Sequence, residues 1–253
     1  MAITVERISI FPVKGFNARR LARVEASPGR ALPDDRRFAV AHGASAVDPI
    51  RPSWQPKTQF LNLMTTERLA RLDLDFDPES GRLTVNRDGK TVARGVITTP
   101  LGRDLINQFL AAFVSRDAAR GSPKLVEAPD FAFTDRPEGL VSIINTASVK
   151  DLERVVRKPV DPMRFRGNLL IAGAEPWAEI EWIGRTLAIG GARLEVVERI
   201  GRCAATNVDP ASAERDMNIP KALQHGYGHT DCGVYARVVE GGPIAEGDTV
   251  TVA

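Results

Sequence analysis

Short stretches in which apolar and polar residues alternate recur along the chain, and each predicts a β-strand. The predicted strands cover residues 5–10, 21–26, 37–41, 83–85, 91–93, 169–171, 186–189, 193–200, 234–239 and 249–252. Turn signals separate them, for example Pro28-Gly29 and Gly190-Gly191. Many short strands with few helices are typical of barrel-forming folds, so we predict a β-rich α+β protein that contains a β-barrel.

Two segments show helical spacing instead. Apolar side chains recur at intervals of three or four in residues 103–114 and again in residues 147–157, where Thr146 or Ser148 would cap the start. Residues 42–58 hold one glycine and three prolines, which predicts a long surface loop. Residues 115–130 are polar and small, and they are the best candidate for a linker.

Composition narrows the class of protein. The chain has 253 residues, 43% hydrophobic and 26% charged, which is typical of a globular protein. Its 34 basic and 32 acidic residues give a net charge of +2, so we expect no nucleic-acid partner. No apolar run approaches the roughly 18 residues that span a bilayer, and the N-terminus lacks the apolar region of a signal peptide. We therefore expect no membrane partner and a cytoplasmic location.

Cysteine is scarce, since only Cys203 and Cys232 are present. Two cysteines exclude a disulfide framework, a four-cysteine zinc site and a four-thiolate iron–sulfur cluster within this chain. The sequence also has no dinucleotide-binding, phosphate-loop or serine-hydrolase motif.

The stretch from Glu198 to Pro210 is the most informative in chemical terms. Cys203 follows a predicted strand and stands beside Arg202, whose guanidinium favours the thiolate, a ligand for thiophilic metals. Thr206 and Asp209 follow closely and could donate to or accept from a ligand. Alternatively, Cys203 is a small buried apolar residue and Asp209 belongs only to a turn.

A second candidate site lies between Lys158 and Asn168. In an extended segment Arg164, Arg166 and Asn168 would share one face, because side chains alternate with a period of two. Two guanidiniums and an amide can bind a phosphate or a carboxylate. The alternative is a solvated charged edge.

Two weaker groups remain. Lys14 and Arg36 each place a cation in a turn at a strand end, where barrel ligand sites tend to lie, although surface charge is the simpler explanation. His225 and His229 could complete a zinc site with Cys203 and Cys232, but the intervening glycines and the spacing favour a flexible loop beside the active site.

Taken in order, these motifs resemble the MOSC superfamily, named for the C-terminal domain of molybdenum cofactor sulfurase, and above all its branch with the mitochondrial amidoxime-reducing component and bacterial relatives. The resemblance covers nearly the whole chain. The motifs are Phe11-Pro-Val-Lys-Gly15, Asp35-Arg-Arg-Phe38, Phe133-Thr-Asp-Arg136, Asn145-Thr-Ala-Ser148, Arg164-Phe-Arg-Gly-Asn168, Gly201-Arg-Cys-Ala-Ala-Thr-Asn-Val-Asp-Pro210, Cys232-Gly-Val-Tyr235 and Gly247-Asp248. The arginine–cysteine element is the most specific of them.

The resemblance implies a pyranopterin molybdenum cofactor with Cys203 as the protein thiolate on the metal. It further implies that Asp209 is a proton relay or substrate-side group. The residues it assigns to holding the pterin and its phosphate, or to their surroundings, are Lys14, Arg36, Thr146, Ser148, Arg166, Asn168, Arg202 and Thr206.

The family also implies two domains, an N-terminal barrel domain over residues 1–118 and the cofactor-binding domain over residues 119–253. Two positions depart from its pattern: Gly15 stands where serine is usual, and Gly167 where proline is usual. We expect neither an appended ferredoxin-type domain nor a pyridoxal-type sulfurase domain, so the pyridoxal phosphate binding known in the superfamily is not expected here.

The implied function is reduction of small N-hydroxylated compounds, such as amidoximes, hydroxylamines and N-hydroxy bases. Because the chain cannot hold its own iron–sulfur cluster, electrons would come from an external ferredoxin-type or flavoprotein-type donor. The first alternative is a carrier of the cofactor, or of sulfur as a persulfide on Cys203, without redox turnover. The second is a basic β-barrel binding module with no redox role.

Overall fold

β-Strands provide most of the regular structure, which confirms the predicted β-rich fold. The computed structural model describes residues 2–115 and 121–253. The strands are β1 (Thr4–Ile10), β2 (Arg19–Leu21), β3 (Arg23–Ala26), β4 (Phe38–Ala41), β5 (Leu72–Asp77), β6 (Arg82–Arg87), β7 (Lys90–Val96), β8 (Lys124–Glu127), β9 (Val141–Asn145), β10 (Leu169–Ala172), β11 (Thr186–Ile189), β12 (Ala192–Gly201), β13 (Asp231–Glu240), β14 (Gly242–Ala245) and β15 (Val250–Val252). The α-helices are α1 (Pro100–Val114), α2 (Thr146–Val156) and α3 (Ile219–Tyr227).

The main sheet has the strand order β15-β11-β12-β13-β9-β10-β1-β2 and curls until β15 and the residues before it meet β1. The backbone N–H of Val5 on β1 donates to the Asp248 carbonyl at 2.9 Å, and that of Val250 on β15 donates to the Ile3 carbonyl at 2.8 Å. Thr4 and Thr249 form a further bridge. These bonds pair edges that would otherwise be exposed, so the sheet closes into a barrel.

Alternation explains the barrel core. Along β12 the inward side chains of Leu194 and Val196 are fully buried. The neighbouring Arg193, on the opposite face of the strand, is exposed. β9 and β10 pair in parallel, joined by α2 as the crossover. The N-terminal β1 lies beside β10, so the first strand of the chain completes the sheet formed by its C-terminal half.

A second core lies beside the barrel. The three-stranded sheet β5-β6-β7 packs against α1 through buried residues that include Leu74, Leu83, Ile106 and Leu110. The predicted helix over 103–114 begins earlier, at Pro100, because Thr99 accepts a hydrogen bond from the Gly102 N–H as its cap.

Two predictions about the C-terminal half are corrected. α2 is capped by Asn145, not by Thr146 or Ser148, because the Asn145 side chain accepts from the Ala147 N–H. The stretch around His225 is not a flexible loop, since it lies in α3, which ends where Gly228 adopts a left-handed backbone with φ +76°. A glycine just past the last turn ends a helix rather than preventing one.

The linker prediction is also wrong where it can be compared. β8 lies within residues 115–130 and pairs with β4, while residues 116–120 are outside the described part. The predicted domain boundary between residues 118 and 119 falls there too, so the division into two domains stays a prediction. The predicted loop over residues 42–58 holds no strand, and only a short 3-10 turn begins at Lys57.

Candidate functional site

A cleft that is partly open to solvent lies at one end of the barrel. It opens where β1 and β12 end and where β9 and β10 begin. Seven of the residues predicted to form the site line it: Lys14, Arg36, Arg166, Asn168, Arg202, Cys203 and Thr206. They come from four separate segments of the chain, and the barrel brings these segments together.

Cys203 follows β12 and begins a short 3-10 turn over Ala204–Asn207. Its side chain lines the cleft and is partly exposed. Thr206 stabilises this turn, because both its backbone N–H and its hydroxyl donate to the Cys203 carbonyl, at 3.1 and 2.9 Å. The thiol is thus presented to the cleft by a fixed backbone, while the hydroxyl of Thr206 is already used.

Lys14 is the most deeply buried cation among the seven predicted residues that line the cleft, with 7% of the residue exposed. Its ammonium donates to the Phe133 carbonyl at 2.7 Å and to Asp135 Oδ1 at 2.6 Å. Burial lowers the pKa of Lys14, and the charge and hydrogen bond of Asp135 oppose that shift. The ion pair with Asp135 therefore favours the charged ammonium in the cleft.

Arg36 and Arg166 lie together over one aromatic ring. Their guanidinium carbons are 4.4 and 4.2 Å from the centroid of Phe11. Arg36 pairs with the buried Asp35 at 2.5 Å and also donates to the Arg166 carbonyl at 3.0 Å. Among the described residues Arg166 forms no ion pair and donates to the Phe16 carbonyl at 2.5 Å.

The charge of Arg166 is consequently poorly compensated. Burial, followed by repulsion from Arg36, lowers its pKa. A guanidinium remains protonated at neutral pH, so this shift expresses the cost of an unpaired cation. An anionic ligand that enters the cleft would reduce that cost.

Arg202 has a mainly structural set of contacts. It donates through Nε to the Cys232 carbonyl at 2.7 Å, with a second bond from Nη2, and through Nη1 to the Phe165 carbonyl at 2.9 Å. Burial lowers the pKa of Arg202. This side chain ties the segment before β10 to β13, directly beside Cys203.

The prediction that Arg164 and Arg166 share one face of an extended segment is wrong. Asp161 caps a 3-10 turn over Pro162–Phe165, and Arg166 then takes a left-handed backbone with φ +53°. Arg164 is 4% exposed and pairs through Nη2 with Asp209 at 2.7 Å and Asp216 at 2.8 Å. Both arginines still line the cleft, because the turn redirects the chain between them.

Asp209 lies apart from the cleft lining. Its Oδ1 accepts from the backbone N–H groups of Ala211 and Ser212, both at 2.8 Å, and its Oδ2 accepts from Arg164. Hydrogen bonds from Ser212 and Ala211, together with the charge of Arg164, outweigh desolvation and lower its pKa. The structure thus gives Asp209 the partners of a turn residue.

Asn168, which directly precedes β10, links β9 to β1 through its side-chain amide. Its Oδ1 accepts from the Ser142 N–H at 3.0 Å and from the Ser142 hydroxyl at 2.8 Å, while its Nδ2 donates to the Ser9 carbonyl at 3.1 Å. Since Asn168 is 1% exposed, its amide is largely used inside the barrel wall.

Thr146 and Ser148 do not line the cleft. The Thr146 hydroxyl donates to the Ile171 carbonyl at 3.0 Å. The Ser148 hydroxyl is fully buried, donates to Glu179 Oε2 at 2.8 Å and accepts from the Trp177 N–H at 2.7 Å. Asn145 Nδ2 donates to the same Glu179 oxygen at 3.0 Å. These groups form a buried network behind the barrel wall.

Glu179 in this network carries a pH-dependent prediction. Burial raises its pKa above 4.5 despite the hydrogen bonds it accepts, and its Oε1 has no partner among the described residues. Because the folded pKa is higher, the folded state retains the proton that the unfolded chain loses. The contribution of protonated Glu179 to the stability of the folded protein is therefore fully present below about pH 4.5. It is lost as the pH rises through the pKa of Glu179 in the folded state.

We expect Glu179→Gln to be more stable than the wild type at about pH 8, with an advantage that shrinks towards about pH 5. Urea unfolding at both pH values measures this difference. Glu181→Gln is the control, since Glu181 is exposed on the same 3-10 turn. A stability difference that is the same at both pH values would contradict the prediction.

Three cleft residues with ionisable side chains, Asp135, Lys57 and Tyr235, had no role in the prediction from sequence. Asp135 lines the cleft with Lys57, whose ammonium is 3.9 Å from Asp135 Oδ2. Tyr235 lies on β13, and burial raises its pKa to about 12. Asp135 and Tyr235 stand in two of the motifs that carry the resemblance, so their neighbourhood was visible in the sequence but their position was not.

Both unusual glycines have a steric reason. Gly15 has φ +88°, and a Cβ there would lie 2.8 Å from the Leu61 carbonyl oxygen. A Cβ at Gly167 would lie 2.3 Å from Cγ1 of the buried Ile144. A side chain at either position would therefore meet a close contact that the neighbouring atoms must relieve.

The candidate zinc ligands are not brought together. Cys232 is fully buried in an apolar cluster with Ile144 and Leu152, and burial raises its pKa to about 12. Across residues 2–115 and 121–253, no group of three or more histidine, cysteine or acidic side chains is placed to hold a metal ion. Within the same ranges, no helix has the length and apolar character needed to cross a bilayer.

The chain is similar to several known proteins. The chain is 28% identical over 230 residues to a molybdenum cofactor sulfurase of Caenorhabditis briggsae, which covers 87% of this chain and 31% of that protein. It is 33% identical over 89 residues to human mitochondrial amidoxime-reducing component 1, which covers 35% of this chain and 26% of that protein. The chain thus spans about a third of the length of this sulfurase and about a quarter of the length of the amidoxime-reducing component.

Among solved structures, the YuaD protein of Bacillus subtilis aligns over 100% of this chain and 96% of its own, with a TM-score of 0.47 and 13% identity. A family model described as the MOSC domain matches residues 130–251. This range contains Cys203 and most of the residues that line the cleft. Over residues 130–251 this chain is therefore similar to the MOSC domain family.

Proposed function

We propose that the protein is a molybdenum cofactor-dependent oxidoreductase that reduces small N-hydroxylated substrates, such as amidoximes, hydroxylamines and N-hydroxy bases. The N–O bond breaks, two electrons and two protons are consumed, and the products are the N–H compound and water. When bound, the cofactor would supply the metal centre for this oxygen removal.

One observation carries the proposal: the partly exposed thiol of Cys203 shares a cleft with Lys14, Arg36 and Arg166. A thiolate is a soft ligand, and guanidinium and ammonium groups bind phosphate. A cofactor whose metal already carries other ligands needs one thiolate from the protein, and its phosphate needs cations. The residues present fit both requirements.

In this proposal the residues have separate tasks. Cys203 binds the metal, and the short turn behind it fixes the direction of its side chain. Arg166 and Lys14 neutralise the phosphate, and Arg36 is held beside them by Asp35. Arg202 and Asn168 keep the cleft walls in place through their bonds to backbone groups.

Electrons come from a separate protein in this proposal, of the ferredoxin or flavoprotein type. Both cysteines are free thiols in this structure, and Cys232 is buried away from the cleft lining. The cytoplasm, where thiols stay reduced, is the compartment that suits this chemistry.

A second candidate is supported by the match to the Caenorhabditis briggsae sulfurase, which covers 87% of this chain. In that case the protein would carry the cofactor, or a persulfide on Cys203, to another enzyme. Carriage predicts that the cofactor binds without turnover of an N-hydroxylated substrate.

One purification tests both candidates. The protein is produced in a host that makes the cofactor, and molybdenum and pterin are measured. Conversion of benzamidoxime to benzamidine is then followed with reduced methyl viologen as electron source. Molybdenum with turnover supports the oxidoreductase, and molybdenum without turnover supports the cofactor carrier. Absence of molybdenum contradicts both of these and leaves only carriage of a persulfide on Cys203.

A further inference from the structure

Asp135 stands at the centre of the cations in the cleft. It is the only acidic residue among the described residues that line the cleft, where six basic residues also lie. Desolvation in the cleft opposes its ionisation, but Lys14, Lys57 and Arg36 outweigh this and hold the pKa of Asp135 well below its usual range. The carboxylate of Asp135 is therefore charged at neutral pH.

The other cations of the cleft differ in how they are neutralised. Arg164 is paired with Asp209 and Asp216, and Arg36 with Asp35, all from outside the lining. Lys14 has Asp135 as its ion-pair partner. The negative charge on Lys14 thus comes from a side chain that itself occupies the cleft.

The backbone around Asp135 is anchored on its N-terminal side. Phe133 is fully buried, and its N–H donates to the Arg36 carbonyl at 2.9 Å. The Thr134 carbonyl accepts from Nε1 of Trp54 at 3.0 Å. Beyond this point residues 135–138 are exposed, and 44% of the Asp135 side chain is accessible. Its carboxylate can therefore turn away from Lys14 while the Phe133 carbonyl continues to hold the ammonium.

We propose that Asp135 is an internal counter-ion that occupies the anion-binding end of the cleft, and that an incoming phosphate group replaces it on Lys14. Two anions cannot share one ammonium without repulsion, which is strong at a separation of a few ångströms in a partly desolvated cleft. Asp135 therefore weakens anion binding while it keeps Lys14 charged and in position in the free protein. This inference rests on the proposed use of the cleft for a phosphate-bearing cofactor.

The sign of one substitution distinguishes this role from simple support of Lys14. Asparagine at position 135 can still accept a hydrogen bond from Lys14 but carries no charge. If Asp135 competes with the ligand, Asp135→Asn binds phosphate more tightly. If it only orients the ammonium, the same variant binds phosphate equally or more weakly.

The experiment is calorimetric titration of cofactor-free protein with inorganic phosphate near pH 7 at low ionic strength. We expect Asp135→Asn to bind phosphate about tenfold more tightly than the wild type. Glu138→Gln, which removes one exposed charge from the same loop outside the cleft lining, should leave affinity unchanged. Lys14→Met should remove the gain when combined with Asp135→Asn.

Equal or weaker binding by Asp135→Asn would overturn the inference, as would a lack of phosphate binding in both proteins. Circular dichroism of each variant verifies the fold. The titration needs no loaded enzyme, so its outcome is separate from the molybdenum and turnover measurements that test the proposed function.

Discussion

Cys203→Ala is expected to lose molybdenum and, with it, reduction of benzamidoxime. The side chain is the one free thiol in the lining of the cleft, so alanine leaves the metal without a protein ligand. Since changes in the outer shell of a metal site can cost up to about a hundredfold in affinity or activity, we expect a loss of at least about that size. The measurements are molybdenum content per chain and turnover with reduced methyl viologen.

Cys232→Ala provides the matched control. Cys232 is fully buried and lies behind the cleft wall, so its replacement should cost about 1 kcal/mol of stability but leave molybdenum bound. Cys203 is partly exposed, and its replacement should leave stability almost unchanged. A Cys203→Ala variant that retains molybdenum would remove the basis of the proposed function.

Arg164→Met is expected to be the most destabilising substitution of a cleft cation. Arg164 is 4% exposed and bridges Asp209 and Asp216, so methionine leaves two neighbouring carboxylates without their cation. Breaking a buried ion pair from one side costs about 3–5 kcal/mol. Because the two carboxylates are 26% and 31% exposed and can be hydrated, we expect the lower end of that range. Urea unfolding measures it.

Arg166→Met, two residues further on, should behave in the opposite way. Among the described residues Arg166 has no ion pair, and burial already disfavours its charge. We therefore expect a change of less than about 1 kcal/mol in stability, together with loss of phosphate affinity in the cofactor-free protein. The pair is matched in residue type and location. Equal destabilisation by both substitutions would show that Arg166 is a structural cation, and its assignment to phosphate binding would fall.

Much of the secondary structure was readable from local pattern. The strands that alternate, such as β12, and the hairpin of β6 and β7 were predicted near their observed bounds. β5 was missed although Leu72, Leu74 and Phe76 alternate with three aspartates, so the signal was present. β9 is buried on both faces and has no alternation, which is why the period-two pattern did not reveal it.

The sequence predicted which residues line the candidate site better than it predicted what each side chain contacts there. Lys14, Arg36, Arg166, Arg202 and Cys203 all line the cleft, as expected from their motifs. Ser148 and Thr146 stand in a motif of equal quality but point their hydroxyls to Glu179 and Ile171. A motif identifies which residues occur together in the sequence, whereas hydrogen-bond partners depend on segments far away in the chain.

The sequence by itself determined the β-rich class, the resemblance to the MOSC family and the prominence of Cys203, because these depend on local spacing and short motifs. Only the tertiary structure decided how the charges are paired. It placed Arg164 between Asp209 and Asp216 and set Asp135 on Lys14, 121 residues away in the chain. Ion pairing falls off with distance in space and is indifferent to distance along the chain, so the barrel closure decides which cations remain available for a ligand.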